Sequence, residues 1–207
     1  MKLKLLSAAT LITLANFSQT SLASEFDVSA NATIVSQDVF RGVDASQEDP
    51  AFQGDITAEN GGFSFGAGAS TYDFGGSDDG IELDLIVGYK MPINDDFSIG
   101  FGLTEYTYSG TSSSTTEFNI IFDISNFAIG LYSDVDLDTE YLSVDTDFAL
   151  ADDLSLKLHV GNADSETDFA VGIDYKIVEQ FSVFATVTEH TADAIGGNFL
   201  IGGTYSF

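Results

Sequence analysis

Apolar and polar residues alternate along most of the chain after residue 25. In the segment from Ile81 to Lys90, every odd-numbered residue is apolar, whereas Glu82, Asp84 and Lys90 occupy even-numbered positions. Successive side chains of a strand point to opposite faces, so a period of two predicts β-strands with one apolar and one polar face. No segment after residue 25 has the 3.6-residue period of an amphipathic helix. The pattern therefore predicts an all-β fold.

Clusters of Gly, Asn, Asp and Ser divide the alternating region into twelve predicted strands. Each strand is followed closely by the next one, which favours antiparallel hairpins. Because the chain shows no linker and no change of composition, residues 24–207 are predicted to form one domain. The predicted strands are 26–40, 50–59, 63–72, 80–91, 97–108, 115–124, 127–133, 138–149, 153–162, 166–176, 180–190 and 196–207.

The connections between the predicted strands alternate between two kinds. One set is short, as at residues 60–62 and 125–126, and the other is mostly longer, polar and acidic, as at residues 42–49 and 109–114. Short turns at one end and long loops at the other, with an even number of strands, are typical of outer-membrane barrels. The predicted fold class is an antiparallel up-and-down transmembrane β-barrel of twelve strands. A soluble β-sandwich is the alternative, since its strands also alternate.

Residues 1–23 have the features of a cleavable secretory signal peptide. Lys2 and Lys4 precede an 11-residue apolar stretch that is too short to cross a bilayer as a helix. Small residues at Ser21 and Ala23 predict cleavage before Ser24. We therefore expect an exported protein of the bacterial outer membrane.

The composition excludes several classes of function. The chain has 33 Asp and Glu residues against 6 Lys and Arg residues, for a net charge of −27, so it would repel nucleic acid. It has no cysteine, which excludes disulfide scaffolds, thiol catalysis and Cys-ligated metal centres. A hydrophobic content of 44% argues against disorder. No nucleotide-binding loop or metal-binding motif is found, so no catalytic residue, cofactor or metal ligand is predicted.

Aromatic residues concentrate near the predicted strand ends, as expected for two girdles at the membrane interfaces. Phe63, Tyr89, Phe97 and Phe127 are among those at the tight-turn end. The predicted girdle at the long-loop end comprises Phe40, Phe52, Tyr72, Tyr108, Phe118, Tyr132, Tyr141, Phe169 and Phe199.

Charged residues are sorted onto the face opposite the apolar one. This face is predicted to line the lumen, where nine carboxylates outnumber four cations. A water-filled interior of this kind would favour cations. Alternatively, opposite charges pair and close the lumen. The predicted lumen-lining residues are Arg41, Asp55, Glu82, Asp84, Lys90, Glu117, Asp123, Asp145, Asp147, Lys157, His159, Asp168, Asp174 and Lys176.

The C-terminus is similar to the signal that outer-membrane proteins present to the barrel-assembly machinery. The chain ends in Phe207, with Tyr205 two residues earlier, although Leu200 stands where a polar residue is usual. The resemblance implies the barrel-assembly machinery as a partner, through Phe207.

The segment from Ser29 to Tyr89 resembles a known family more specifically. Ser36-Gln37-Asp38-Val39-Phe40-Arg41-Gly42 is followed by Pro50-Ala51 and Gln53-Gly54, and later by Glu82, Asp84, Gly88 and Tyr89. These residues resemble the start of the TorF family of porin-like outer-membrane proteins, also described as a proteobacterial family of conserved hypothetical proteins. Asp38 stands where the family usually has Tyr. The resemblance implies an outer-membrane barrel that acts as a porin.

Three further features are candidate sites. Arg41 is expected to face inward near the long-loop end of the first strand. It would act there either as a charge at the pore mouth or as a member of a structural ion pair. The ion pair is favoured, because polar barrel interiors often need such cross-links. The acidic run at residues 134–140 lacks the glycine of an EF-hand. A solvated acidic loop is therefore favoured over a loop that binds divalent cations weakly. His159 and His190 show no orienting carboxylate on a lipid-facing wall, which argues against an enzyme.

The sequence thus favours an outer-membrane channel for passive diffusion of small hydrophilic solutes or ions, with a mild preference for cations. Its expected partners in the membrane are lipid and lipopolysaccharide. The first alternative is a closed structural or adhesive barrel that binds a partner or divalent cations through its acidic loops. The second is a lipid-modifying enzyme that uses a histidine of the barrel.

Overall fold

The computed structural model describes residues 26–110, 112–192 and 195–207. The predicted signal peptide, residues 1–23, lies outside the described residues. Within them, the secondary structure consists of strands, and no helix long and apolar enough to cross a membrane occurs there.

Twelve strands form a closed antiparallel barrel, which confirms the predicted fold class. Each wall strand pairs with its neighbours along the chain, and the first strand closes the barrel by pairing with the last one, as in Asn31 opposite Ser206. In chain order the strands are β1 (Asp27–Val35), β2 (Val39–Phe40), β3 (Val43–Asp44), β4 (Ala51–Asn60), β5 (Phe63–Asp73), β6 (Asp79–Asn94), β7 (Phe97–Tyr108), β8 (Thr115–Ile124), β9 (Phe127–Asp134), β10 (Thr139–Ala151), β11 (Leu154–Ala163), β12 (Glu166–Val178), β13 (Phe181–His190) and β14 (Asn198–Ser206). β2 and β3 form a separate two-stranded hairpin.

The two ends of the barrel differ in the length of their connections. At one end, the tight-turn end, each turn leaves two residues between strands, as at residues 61–62 and 125–126. Both Gly61 and Gly62 have positive φ, which suits glycine because it lacks a Cβ. At the other end, the long-loop end, most connections are longer, although the one between β11 and β12 contains only residues 164–165.

The burial of side chains is inverted relative to a soluble protein. On β6, Leu85 is 63% exposed on the outer face, whereas Glu82 is fully buried. The same alternation exposes large apolar side chains on the other wall strands, which together make an apolar outer surface. A Lys or Arg on that surface would cost about 2–4 kcal/mol at the bilayer midplane, so the charged residues face the interior.

The aromatic residues at the long-loop end are divided between the two faces, which corrects the predicted girdle. Phe52 and Phe199 are each 61% exposed on the outer wall, and Phe118 and Phe169 are also exposed. The other five are half-buried or buried: Phe40, Tyr72, Tyr108, Tyr132 and Tyr141. The strand register places the four tyrosines on the inner face of the barrel. Five of the nine residues of the expected lipid-facing girdle are therefore part of the interior.

The first barrel strand is shorter than predicted. β1 ends at Val35, and residues 36–50, which we call the inner hairpin, leave the wall and contain β2 and β3. Its turn consists of Arg41 and Gly42, with φ of 49° and 77°. Arg41 therefore lies on this turn and not on the first barrel strand as predicted.

Candidate functional site

The inner hairpin crosses the long-loop end of the lumen. The Nδ2 atom of Asn198, on β14, donates to the carbonyl of Gly42 over 3.3 Å. The amide of Asp73, at the end of β5, donates to the carbonyl of Ala45 over 2.9 Å. Arg41 reaches Glu117 on β8, on the far side of the barrel from β1. The hairpin is therefore anchored to the wall on several sides.

Local hydrogen bonds hold the hairpin in shape. The Asp44 carboxylate accepts from the amides of Ser46, at 2.9 Å, and Glu48, at 2.6 Å. The amide of Asp38 donates to the Ser46 hydroxyl over 2.8 Å, and Asp38 and Ala45 are joined by a backbone hydrogen bond. Short polar side chains of this kind stabilise turns by bonding to nearby backbone amides.

Gly42 fits between the hairpin and the wall because it has no side chain. A Cβ at this position would lie 2.8 Å from the Cβ of Asp168 and 3.0 Å from the Cδ2 of His190. The positive φ also favours glycine. Both requirements explain the Arg-Gly pair at the hairpin turn.

The Arg41 guanidinium binds a carboxylate and three aromatic rings. Its Nη2 atom donates to both carboxylate oxygens of Glu117, at 3.0 and 2.9 Å. Its Cζ atom lies 4.1 Å from the ring centroid of Tyr141, 5.1 Å from that of Tyr132 and 4.5 Å from that of Phe40. The structural ion pair is therefore formed, with a cation–π contribution from rings on both the wall and the hairpin.

Tyr141 belongs to a second polar cluster on the same wall. His159 Nδ1 lies 2.6 Å from Asp145 Oδ1, and its Nε2 lies 2.8 Å from Asp168 Oδ1. The Tyr141 hydroxyl lies 2.9 Å from His159 Nε2 and donates to Asp168 over 3.0 Å. Carboxylates only accept, so this geometry is satisfied when both ring nitrogens of His159 are protonated. The predicted absence of an orienting carboxylate concerned the lipid-facing wall; inside the barrel, His159 has two.

Buried carboxyl groups line the wall behind the inner hairpin. Asp38, Glu82 and Asp84 are almost inaccessible to solvent. Asp38 belongs to the hairpin, and burial raises its pKa to about 6, with smaller contributions from a Gln53 hydrogen bond that lowers it and from Glu82 and Asp44 that raise it. Ionisation of the Asp38 carboxyl group is therefore unfavourable while the hairpin is packed against this wall.

The half of the lumen towards the tight-turn end is more open. Lys90 Nζ lies 2.8 Å from Asp123 Oδ2, and Ser98 donates to the same carboxylate oxygen. The side chain of Asp145 is 42% exposed, and Asp147 is exposed as well. Solvent can therefore reach carboxylates in this half of the barrel.

The strand register places the remaining predicted lumen residues on the inner face. Asn31 donates to Asp55 over 2.8 Å, and Ser182 donates to Asp174 over 3.3 Å. Three other pairs sit directly opposite each other in the register: Asp145 with His159, Asp147 with Lys157, and Lys176 with Ser182. The residues brought together at the hairpin are Arg41, Glu117, Asp145, His159 and Asp168, whereas Asp55, Lys90 and Lys176 lie away from it.

The acidic run at residues 134–140 forms hydrogen bonds within its own loop and with the start of β8. Asp134 accepts from the Thr115 hydroxyl and from the amides of Asp136 and Leu137, and Asp136 accepts from the amide of Thr116. Across the described ranges, no three His, Cys, Asp or Glu side chains are arranged to hold a metal ion.

Several residues of the site were missed by sequence reasoning. Tyr106 donates to Glu117 over 3.4 Å, and Tyr132 and Tyr141 face Arg41. The alternation along each strand could have predicted that these tyrosines face inward, because they share the less apolar face of the sheet with carboxylates that were predicted to line the lumen. Tyr132 and Tyr141 were instead assigned to the aromatic girdle because they lie near strand ends, and Tyr106 was assigned to no site.

Comparison with known proteins identifies both a family and a fold. A family model described as "Bacterial protein of unknown function (Gcw_chp)" matches residues 19–193. No curated protein sequence matches this chain. The KdgM porin is similar in structure, with a TM-score of 0.66 and 14% identity, over 86% of this chain and 99% of that one.

Other solved structures have the same fold. A structure titled "KdgM porin in complex with disordered oligogalacturonate" has a TM-score of 0.63 and 14% identity, again over 86% of this chain and 99% of that one. The COG4313 outer membrane channel from Pseudomonas putida F1 has a TM-score of 0.55 and 11% identity, over 90% of this chain and 96% of that one. The fold is thus that of outer-membrane porins and channels.

Proposed function

The chain belongs to the Gcw_chp family of bacterial proteins of unknown function, and we propose that it is an outer-membrane channel for small hydrophilic solutes or ions, with a preference for cations. The barrel, rather than any reactive group, is the functional part, and the protein is not an enzyme. The resemblance of its first strands to the TorF family supports the same function. The proposed location is the bacterial outer membrane, reached through the signal peptide at residues 1–23.

One observation carries the proposal: exposed carboxylates line the open half of the lumen within an apolar outer wall. Asp145 and Asp147 lie on neighbouring inward positions of β10 and reach solvent. Asp145 also pairs with His159, just as Lys90 pairs with Asp123, and Asp147 lies opposite Lys157 in the register. The interior as a whole holds more carboxylates than cations, so its potential attracts cations and repels anions.

The KdgM structure in complex with oligogalacturonate suggests a contrast. Oligogalacturonate is a polyanion, and the carboxylates inside the present barrel would repel such a ligand. We therefore infer that this chain uses the same fold for neutral or cationic solutes.

The outer surface and the C-terminus define the proposed partners. The exposed apolar side chains would contact outer-membrane lipid, and the acidic long loops would lie beside lipopolysaccharide. Phe207 is 78% exposed, and its ring lies 4.9 Å from that of Tyr205. An accessible terminal aromatic pair supports recognition by the barrel-assembly machinery.

A second candidate function is a closed structural barrel, which the inner hairpin favours. Arg41, Gly42 and Ala45 are all held by groups of the wall. If the hairpin stays in this position, passage is restricted at the long-loop end, and function would move to the loops.

Single-channel recording of the refolded chain in a planar bilayer under a KCl gradient tests both candidates. Discrete current steps with a cation-selective reversal potential are expected. Asp145→Asn with Asp147→Asn should reduce this selectivity. Asp152→Asn with Asp153→Asn is the matched control, because it removes the same charge from the β10–β11 turn outside the lumen and should have a smaller effect.

Folding is checked independently by heat-modifiable mobility in gels. Anion selectivity of the folded barrel would contradict the proposed cation preference. Absence of current from a folded barrel would reject the open channel in favour of the closed one.

A further inference from the structure

We propose that Glu117, Tyr132 and Tyr141 form a binding site for organic cations of the guanidinium type, which the chain's own Arg41 occupies in this structure. The inference rests on the proposed function, because it names the class of solute that the channel would recognise. The site lies on the inner wall formed by β8, β9 and β10.

The site combines one buried carboxylate with two aromatic faces. Glu117 is 2% exposed and accepts both hydrogen bonds from a single guanidinium nitrogen. Tyr132 and Tyr141 are direct cross-strand partners, with ring centroids 5.9 Å apart. Both rings lie within about 6 Å of the guanidinium carbon, the range in which cation–π attraction acts. A carboxylate beside two aromatic faces selects a planar cation and rejects an anion.

The wall holds two of these groups, Tyr141 and Glu117, in place without help from Arg41. The Tyr141 hydroxyl is fixed by Asp168 and His159, and His159 is itself held by Asp145. Glu117 also accepts from the Tyr106 hydroxyl. Side chains oriented by their own partners are preorganised for a ligand, so the site should persist when the Arg41 side chain is removed.

The site is within reach of solvent. The Arg41 side chain remains 17% exposed, whereas that of Glu117 is only 3% exposed. A free cation can therefore approach from the side on which Arg41 enters. In the channel, a permeating cation would compete with Arg41 for Glu117 and thereby weaken one anchor of the inner hairpin.

Binding to the Arg41→Ala variant in detergent tests the inference without any current measurement. Methylguanidinium is the probe, and methylurea, its neutral counterpart of similar shape, is the matched control ligand. Methylguanidinium should bind by calorimetry and raise the unfolding temperature, whereas methylurea should do neither. Adding Glu117→Gln should weaken binding about tenfold or more, because it removes the charged acceptor.

Arg41→Gly provides a second variant in case Arg41→Ala does not fold. Arg41 has φ of 49°, so glycine is compatible with its backbone and removes the side chain as well. Equal responses to methylguanidinium and methylurea in a folded variant would overturn the inference. So would binding that Glu117→Gln leaves unchanged. A barrel that binds methylguanidinium but carries no current would instead reject the channel and retain the site.

Discussion

Arg41, at the turn of a hairpin that leaves the barrel wall after β1, forms an ion pair with Glu117 on the far wall, with Nη2 2.9 Å from Oε2. The contact ties a segment inside the lumen to the barrel around it. A buried ion pair of this kind is costly to break on one side only, because the remaining charge loses its partner. The pair therefore controls how firmly the inner hairpin closes the long-loop end.

Arg41→Ala should loosen the inner hairpin and increase channel conductance. The substitution removes the Glu117 ion pair and the cation–π contacts, but it leaves the wall strands unchanged. Single-channel recordings of the folded variant measure the effect. Lys157→Ala is the control, because it also removes one inward cation but lies away from the hairpin. Equal conductance of Arg41→Ala and the wild-type protein would show that the ion pair does not hold the hairpin.

Gly42→Ala should displace the hairpin turn and destabilise the protein by about 1–3 kcal/mol. The new Cβ would collide with Asp168 and His190 and would also occupy a positive φ. Gly76→Ala is the matched control, since Gly76 has φ of +74° with no atom within 4 Å of an added Cβ. Urea unfolding in lipid vesicles should show a larger loss for Gly42→Ala. A loss no greater than that of Gly76→Ala would contradict the close contact with the wall.

Acidic pH should favour the closed hairpin through Asp38. Burial raises the pKa of Asp38 to about 6 from an ordinary value of 3.8, so the folded protein favours the protonated carboxyl group. The destabilising charge is nearly absent close to pH 4, grows as the pH rises, and reaches its full effect above about pH 6. Glu82 on β6 and Asp44 on the hairpin add to this effect, and Asp84 on β6 also faces Asp38.

Conductance should therefore be lower at about pH 5 than at about pH 7.5. Asp38→Asn removes the titrating charge and should keep the hairpin closed at both values. A wild-type conductance that stays constant, or that rises on acidification, would argue against this role of Asp38.

His159→Phe should destabilise the barrel by about 1–3 kcal/mol, because it leaves two carboxylates without their shared donor. Asp168 is 3% exposed and depends most on this partner. Tyr141→Phe removes only the hydroxyl of the same cluster and should cost less. Urea unfolding of both variants in vesicles gives the comparison. The prediction fails if His159→Phe is as stable as the wild-type protein.

The sequence predicted the barrel closely because period-two alternation and turn residues are local properties. The predicted strand at 115–124 coincides with β8, and the turn at residues 125–126 is where it was expected. The inward positions of residues such as Asp145 and Asp168 follow from the same parity. Register can be counted along each strand, since one residue changes the face on which a side chain lies.

The inner hairpin could not be derived in this way. Ser36, Gln37 and Asp38 interrupt the alternation after Val35, but the apolar pair Val39 and Phe40 follows them, so the strand was predicted to continue to residue 40. The chain instead leaves the wall at Val35. Likewise, Tyr132 and Tyr141 look like girdle residues until their partner Arg41 is placed against both rings.

The sequence by itself thus determined the strand number, the antiparallel order and the sorting of charges, because each depends on neighbours within a strand or a turn. Only the tertiary structure decided that residues 36–50 enter the lumen and that Arg41 meets Glu117, 76 positions later in the chain. The physical reason is that closing the barrel places the wall strands around the hairpin, within reach of its side chains. No local pattern specifies which of the many inward carboxylates that side chain will meet.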